Sequence, residues 1–187
     1  VNLAIIPARG GSVRIPGKNV KLFHGKPIIE YSIDAALASG VFGEIVVSTD
    51  DTTIAAVAEM RGASVFWRKP DDGTRGTQEV AREVLLGRCC VDYACVIYPT
   101  APMLTAEDLM LAAALAQYRS YVVAVGSEPL RDTGWFYFGR ASLFVSSAQL
   151  YSMHTGLYVV GGDRAIDINT QEDWTRAEGM YANWRGL

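Results

Sequence analysis

Leu3-Ala4-Ile5-Ile6-Pro7 runs without a break into Ala8-Arg9-Gly10-Gly11-Ser12-Val13-Arg14-Ile15-Pro16-Gly17-Lys18-Asn19. The first five residues are apolar on both faces, the pattern of a strand covered by helices on two sides. Ligands of open parallel sheets bind beyond the carboxyl ends of the strands, so the loop that follows stands where a ligand belongs. Its paired glycines let backbone amides approach phosphate oxygens, Ser12 can donate a further hydrogen bond, and Arg9, Arg14 and Lys18 supply charge. The stretch therefore predicts a triphosphate cradle. Its spacing is neither G-x-G-x-x-G nor G-x-x-x-x-G-K-[ST], which leaves a dinucleotide-binding or P-loop assignment unsupported.

Outward from this loop the chain alternates. Pro27 to Ser39 reads as a helix with proline in its first turn and Gly40 as its stop, and Glu44 to Ser48 as the next buried strand. Asp51 or Thr52 caps a helix through Met60, Gly62 closes it, and Ser64 to Trp67 is strand. Thr77 to Leu86 reads as helix, Tyr93 to Tyr98 as strand, and Thr105 to Tyr118 as a helix opened by the capping pair Thr105 and Asp108. Such alternation predicts an α/β fold: a three-layer, doubly wound, mostly parallel sheet with helices on both faces. After the strand Tyr121 to Val125 the rhythm loosens. Gly134 to Phe138 and Leu157 to Val160 are strand-like, Arg140 to Val145 is a short helix, and an antiparallel or edge strand is expected in this half. The last helix runs from Thr170 to Tyr181, capped by Thr170 with Asp173 three places on.

The 187 residues, half of them apolar, suffice for one domain with a substantial core. A net charge of -3 gives no overall basic field to draw the protein onto nucleic acid or an anionic membrane, so a phosphate ligand must be met by a local cluster. The apolar runs are strand-sized, far short of a membrane span, and no signal-peptide pattern is visible, which predicts a cytoplasmic protein. Three cysteines, with Cys89 and Cys90 adjacent and Cys95 in an apolar run, suit reduced core thiols better than a disulfide framework or a zinc site. His24 and His154 read as surface histidines, and Asp51 beside Thr52 as a helix cap rather than half of a catalytic acid pair with Asp50. Trp135, Tyr137 and Phe138 read as core or as the wall of a sugar pocket.

The opening motif resembles that of the acylneuraminate cytidylyltransferases, the CMP-sialic acid synthetase group. The likeness extends through Gly25-Lys26-Pro27-Ile28-Ile29, Val47-Ser48-Thr49-Asp50-Asp51, Tyr98-Pro99-Thr100-Ala101-Pro102, Gly134 to Gly139, and Asp167-Ile168-Asn169-Thr170-Gln171-Glu172-Asp173-Trp174. Ile15-Pro16, the Thr-Ala-Pro turn and Glu172-Asp173-Trp174 bring the chain nearest to the pseudaminic acid cytidylyltransferase branch. The resemblance implies transfer of CMP from CTP to the anomeric hydroxyl of a nonulosonic acid, with Mg²⁺ and release of pyrophosphate. It implies that Arg9, Gly10, Gly11, Ser12, Arg14 and Lys18 serve the phosphates. Ala8, Asn19, Arg68, Thr77, Tyr98 and Thr100 would line the nucleotide site, and Asp167 with Asn169 would hold the metal. A homodimer is a further implication.

Three departures from the family pattern stand out. The lysine that follows the loop serine in the family is Val13 here, which removes a cation from the cradle. The family's D-I-D-T is Asp167-Ile168-Asn169-Thr170 here, exchanging one charged metal ligand for an amide. The long excursion used for dimerisation and for closing the sugar pocket is reduced to a short join at residues 128–133, and Lys69-Pro70-Asp71-Asp72 is short as well. Two other readings follow: a catalytically weakened nucleotide-binding or interaction module of the same fold, and a related nucleotidyltransferase acting on another sugar acid, such as an eight-carbon ulosonate.

Overall fold

The computed structural model describes residues 1–70, 74–127 and 129–187. Seven strands form one sheet: β1 (Asn2–Pro7), β4 (Glu44–Thr49), β5 (Ser64–Trp67), β6 (Tyr93–Ile97), β7 (Tyr121–Ser127), β8 (Leu130–Arg140) and β9 (Gly156–Val160). A two-residue ribbon of β2 (Leu22–Phe23) and β3 (Lys26–Pro27) stands apart. The sheet order is β5-β4-β1-β6-β8-β7-β9, with β1 paired in parallel to both β4 and β6. The antiparallel strand foreseen in the second half is β8. It lies inside the sheet, between β6 and β7, rather than at an edge. Pairing of Leu130 to Asp132 with β7 alone extends it beyond its apolar centre.

Alternate residues of β1 enter opposite cores, as a doubly apolar strand requires. Ala4 and Ile6 pack with α1 (Ile28–Ser39), α2 (Thr52–Met60), α4 (Ala106–Ala116) and α6 (Gln171–Arg185). Leu3 and Ile5 pack on the other face with α3 (Thr77–Leu86) and α5 (Ala141–Val145). The result is the three-layer arrangement expected of the alternating sequence.

The helix boundaries follow local chemistry. Asp51 caps α2 by accepting from the amides of Thr53 and Ile54, at 2.8 and 2.9 Å. Gly40 turns left-handed to end α1, with φ 61°. Complete capping boxes open α4 at Thr105 and Asp108, and α6 at Thr170 and Asp173. Helix α6 runs four residues past Tyr181 to Arg185, because nothing breaks it before Gly186.

The cysteine expectation holds only for Cys95, which is buried. Cys89 and Cys90 are exposed in the turn before β6, and Cys90 adopts a positive φ of 67°. Sequence proximity to an apolar strand did not place them inside it. His24 and His154 are both exposed, as expected. Of the two short stretches, Asp71, Asp72 and Glu128 lie outside the described residues. No helix among the described residues is long and apolar enough to cross a membrane.

Candidate active site

The loop after β1 is pinned before it reaches any ligand. The amide of Ala8 donates to the Ser48 carbonyl at 2.9 Å, and that of Gly10 to Asp50 Oδ1 at 2.8 Å. A Cβ at Gly10 would lie 2.8 Å from Asp51 Oδ2, so glycine is required there by the end of β4. The sequence reading gave Gly10 a phosphate-facing amide; the structure commits that amide to Asp50. Ser12 closes a tight turn by donating its amide to the Gly10 carbonyl at 2.9 Å. Asn19, buried at 4 % exposure, donates to the Arg9 carbonyl at 2.9 Å and holds the base of the loop.

Above the ends of β1, β6 and β8 opens a cleft of about 470 Å³. Arg9, Ser12, Arg14, Lys18 and Asn19 form the wall given by the first loop. Arg68, Thr77, Tyr98 and Thr100 form a second, and Asp167 with Asn169 a third. Ala8, Gly10 and Gly11 stay outside these walls and act as its scaffold. Residues 1–19 and 166–169 are far apart in sequence, and Lys18 joins them by donating Nζ to the Ile168 carbonyl at 2.9 Å.

Sequence reasoning missed Arg75, Asp132 and Gly134 in the cleft walls, and left Tyr137 undecided between core and pocket. Tyr137 faces the cleft, whereas Trp135 and Phe138 are buried in the core. Period-two alternation along β8 was the available signal; it separates Tyr137 from Phe136 and Phe138, but it would put Trp135 on the face of Tyr137. The left-handed Gly134 just before Trp135 breaks the pattern there, and Trp135 joins the opposite core. Asp132 carries no such signal. Its carboxylate accepts from the Gly134 amide at 2.7 Å and from the hydroxyls of Tyr137 and Tyr151. Arg75 approaches Glu79 and Glu83 of α3, with Nη2 2.6 Å from Glu83 Oε2.

The electrostatics fit an anionic ligand. Arg9, Arg14, Lys18, Arg68 and Arg75 surround one cleft, faced by the carboxylates of Asp132 and Asp167. Burial lowers the pKa of Lys18, the Asp167 carboxylate opposes that shift, and Arg14 and Arg9 reinforce it. Loss of hydration at the cleft wall raises the pKa of Asp167 against the opposing effects of the Asn169 amide and Lys18. Burial also raises the pKa of Tyr98, whose hydroxyl is hydrogen-bonded to Thr77 Oγ1. A site so arranged can hold a polyphosphate and stabilise charge that builds up on it.

Asn169 Nδ2 donates to Asp167 Oδ2 at 2.5 Å, so the two residues of the third wall are already coupled. Among the described residues no three histidine, cysteine or acidic side chains come together closely enough to hold a metal ion by themselves. The donors present are hard oxygen ligands, one carboxylate and one amide carbonyl. That set fits a hard divalent cation, of the kind that keeps several waters and takes one or two carboxylates together with phosphates.

Residues 3–158 match the cytidylyltransferase family model. Pseudaminic acid cytidylyltransferase of Campylobacter jejuni is 33% identical over 222 residues, covering 96% of this chain and 96% of the relative. That alignment is longer than the chain itself, so the relative carries segments this chain lacks. CMP-N,N'-diacetyllegionaminic acid synthase of Legionella pneumophila is 52% identical over 83 residues, 44% of this chain and 36% of the relative. Among solved structures, CMP:2-keto-3-deoxy-manno-octonic acid synthetase complexed with CTP superposes with a TM-score of 0.80 at 16% identity, over 98% of this chain and 99% of that one. The last comparison bears on the fold alone; the family model and the full-length relative bear on descent. By its sequence, its fold and the loops that build its cleft, this chain belongs to the cytidylyltransferase family.

Proposed function

We propose that this enzyme transfers CMP from CTP to the anomeric hydroxyl of a sialic-acid-like nonulosonic acid and releases pyrophosphate. The observation that carries the reading is the single cleft in which loops after β1 and β6 meet the Asp167 loop, tied by Lys18 to the Ile168 carbonyl. Arg9, Ser12, Arg14 and Lys18 bind the phosphates and neutralise charge as it moves to the leaving pyrophosphate. Asn19, Arg68, Thr77, Tyr98 and Thr100 orient the nucleoside, so that the α-phosphorus meets the sugar hydroxyl in line. Asp167, assisted by Asn169, holds Mg²⁺, which when bound withdraws charge from the phosphate oxygens. Residues 1–187 act as one nucleotidyltransferase domain, a reading supported by the two cores sharing one sheet. With CTP as co-substrate, the reading carries a cytoplasmic location with it.

The test is pyrophosphate release from CTP, Mg²⁺ and a panel of nonulosonic and eight-carbon ulosonic acids. Turnover with a nonulosonic acid is expected. No release from any acid at high enzyme concentration would overturn the transferase reading. The exposed, uncharged Val13 at the cleft wall favours one alternative, a weakened nucleotide-binding module. CTP binding by calorimetry without turnover would establish that alternative instead.

A further inference from the structure

Asp108 was legible as a helix cap, but the fold gives its carboxylate a second task. Oδ2 accepts from the amide and hydroxyl of Thr105, both at 2.8 Å, as a capping box requires. The same carboxylate receives both arms of Arg164, with Nη1 to Oδ2 at 2.8 Å and Nη2 to Oδ1 at 3.0 Å. Tyr158 of β9 adds a hydroxyl donor to Oδ1 at 2.7 Å. The Asp108 side chain is only 2% exposed, so this is a desolvated, bidentate ion pair with every partner named.

Its position matters more than its strength. Asp108 stands in the first turn of α4, the helix that follows the turn carrying Thr100, and Arg164 also donates Nη1 to the Met103 carbonyl in that connection at 3.1 Å. Arg164 lies three residues before Asp167, and its guanidinium packs near the rings of Trp135 and Trp184, at 5.9 and 5.8 Å. The indole of Trp135 in turn donates to the Ile166 carbonyl at 3.0 Å. Ile166 and Ile168, which flank Asp167, are both buried. The Thr100 turn follows β6 and the Asp167 loop follows β9, with β8 and β7 between those strands in the sheet. Asp108 and Arg164 span that gap.

We infer that Asp108 and Arg164 are positioning residues that set the distance between the Thr100 turn and Asp167, and thereby the alignment of the reacting groups. Neither lines the cleft. Loss of the pair should let the Asp167 loop drift while the first loop, joined to it by the one Lys18 contact but held to β4 through Asp50 and Ser48, still binds nucleotide. Misplacing a group that aligns the reaction costs turnover far more than it costs affinity.

The experiment compares the parent with Arg164→Met, Arg164→Lys and Tyr158→Phe, all well below their melting temperatures. Arg164→Met is expected to lower kcat by roughly tenfold to a hundredfold. Its CTP Kd should stay within about twofold of the parent. Arg164→Lys should restore part of kcat, and Tyr158→Phe should lower it least. Amide hydrogen exchange over residues 165–169 should quicken by roughly tenfold in Arg164→Met, with exchange in β1 unchanged. The kinetic arm rests on the transferase reading; the exchange arm does not, so a parent without turnover would sink that reading and leave this inference to be decided by exchange. Unaltered exchange over 165–169 would overturn it. A fall in kcat matched by an equal loss of CTP affinity would overturn it as well. Should Arg164→Met fail to fold, Arg164→Lys and Tyr158→Phe decide by the same two measurements.

Discussion

Gly134 brings its α-carbon against the Asp167 carboxylate: a Cβ at Gly134 would lie 3.0 Å from Asp167 Oδ1, and the residue holds φ at +61°. Both facts exclude a side chain. Gly134→Ala is expected to destabilise the fold by about 2 kcal/mol, from left-handed strain and the displaced carboxylate. Because the displaced group lines the cleft, activity should fall further than stability alone explains. Thermal melts alongside pyrophosphate release check both parts.

Val13 is 83% exposed at the cleft wall, so a lysine has room there. Val13→Lys should tighten CTP binding by roughly tenfold, about 1.4 kcal/mol, through one charge-assisted contact with phosphate. Calorimetry with CTP reads the change. An equal effect with CMP, which lacks the β- and γ-phosphates, would argue against a triphosphate contact.

Asp50 fixes the phosphate loop from β4 through the Gly10 amide. Asp50→Ala should cost about 1 kcal/mol of stability, the net value of one hydrogen bond. CTP affinity should drop as well, since the loop must then be ordered on binding. Titration calorimetry and denaturant midpoints separate the two effects.

The Asp108 carboxylate has a pKa below the usual range. Burial alone would raise it, and donation from Arg164, Tyr158 and Thr105 overcomes that effect. A carboxylate with a lowered folded-state pKa stabilises the fold above its unfolded value of about 4, and the contribution is lost as pH falls through the folded value. Asp108→Asn should therefore destabilise the protein by about 3 kcal/mol at neutral pH. The gap between variant and parent should narrow below about pH 4 in denaturant midpoints measured across pH.

The short-range features were written in the sequence because their physics is local. Leu3 to Pro7 had to be a covered strand whatever followed it. Capping boxes at Thr105 and Thr170, the Asp51 cap and the Gly40 stop each involve residues within a single turn. The phosphate-loop cations and Asp167 were recognisable as motifs because their spacing is set by one loop at a time. Long-range choices were not legible in this way. That β8 enters the sheet between β6 and β7 depends on both neighbours at once, and so does the arrival of Asp132 in the cleft. Gly10 reads as a ligand-facing glycine until Asp50 and Asp51 are brought against it from another strand. Asp108 reads as a cap until Arg164, 56 residues away, arrives to share its carboxylate. The sequence by itself determined the layered fold and the chemistry of the loops, since periodicity, capping and loop charge act over a few residues. Only the tertiary structure decided which of those groups face a ligand and which brace one another, because a carboxylate or an amide is committed by whichever partner the packing of distant strands presents to it.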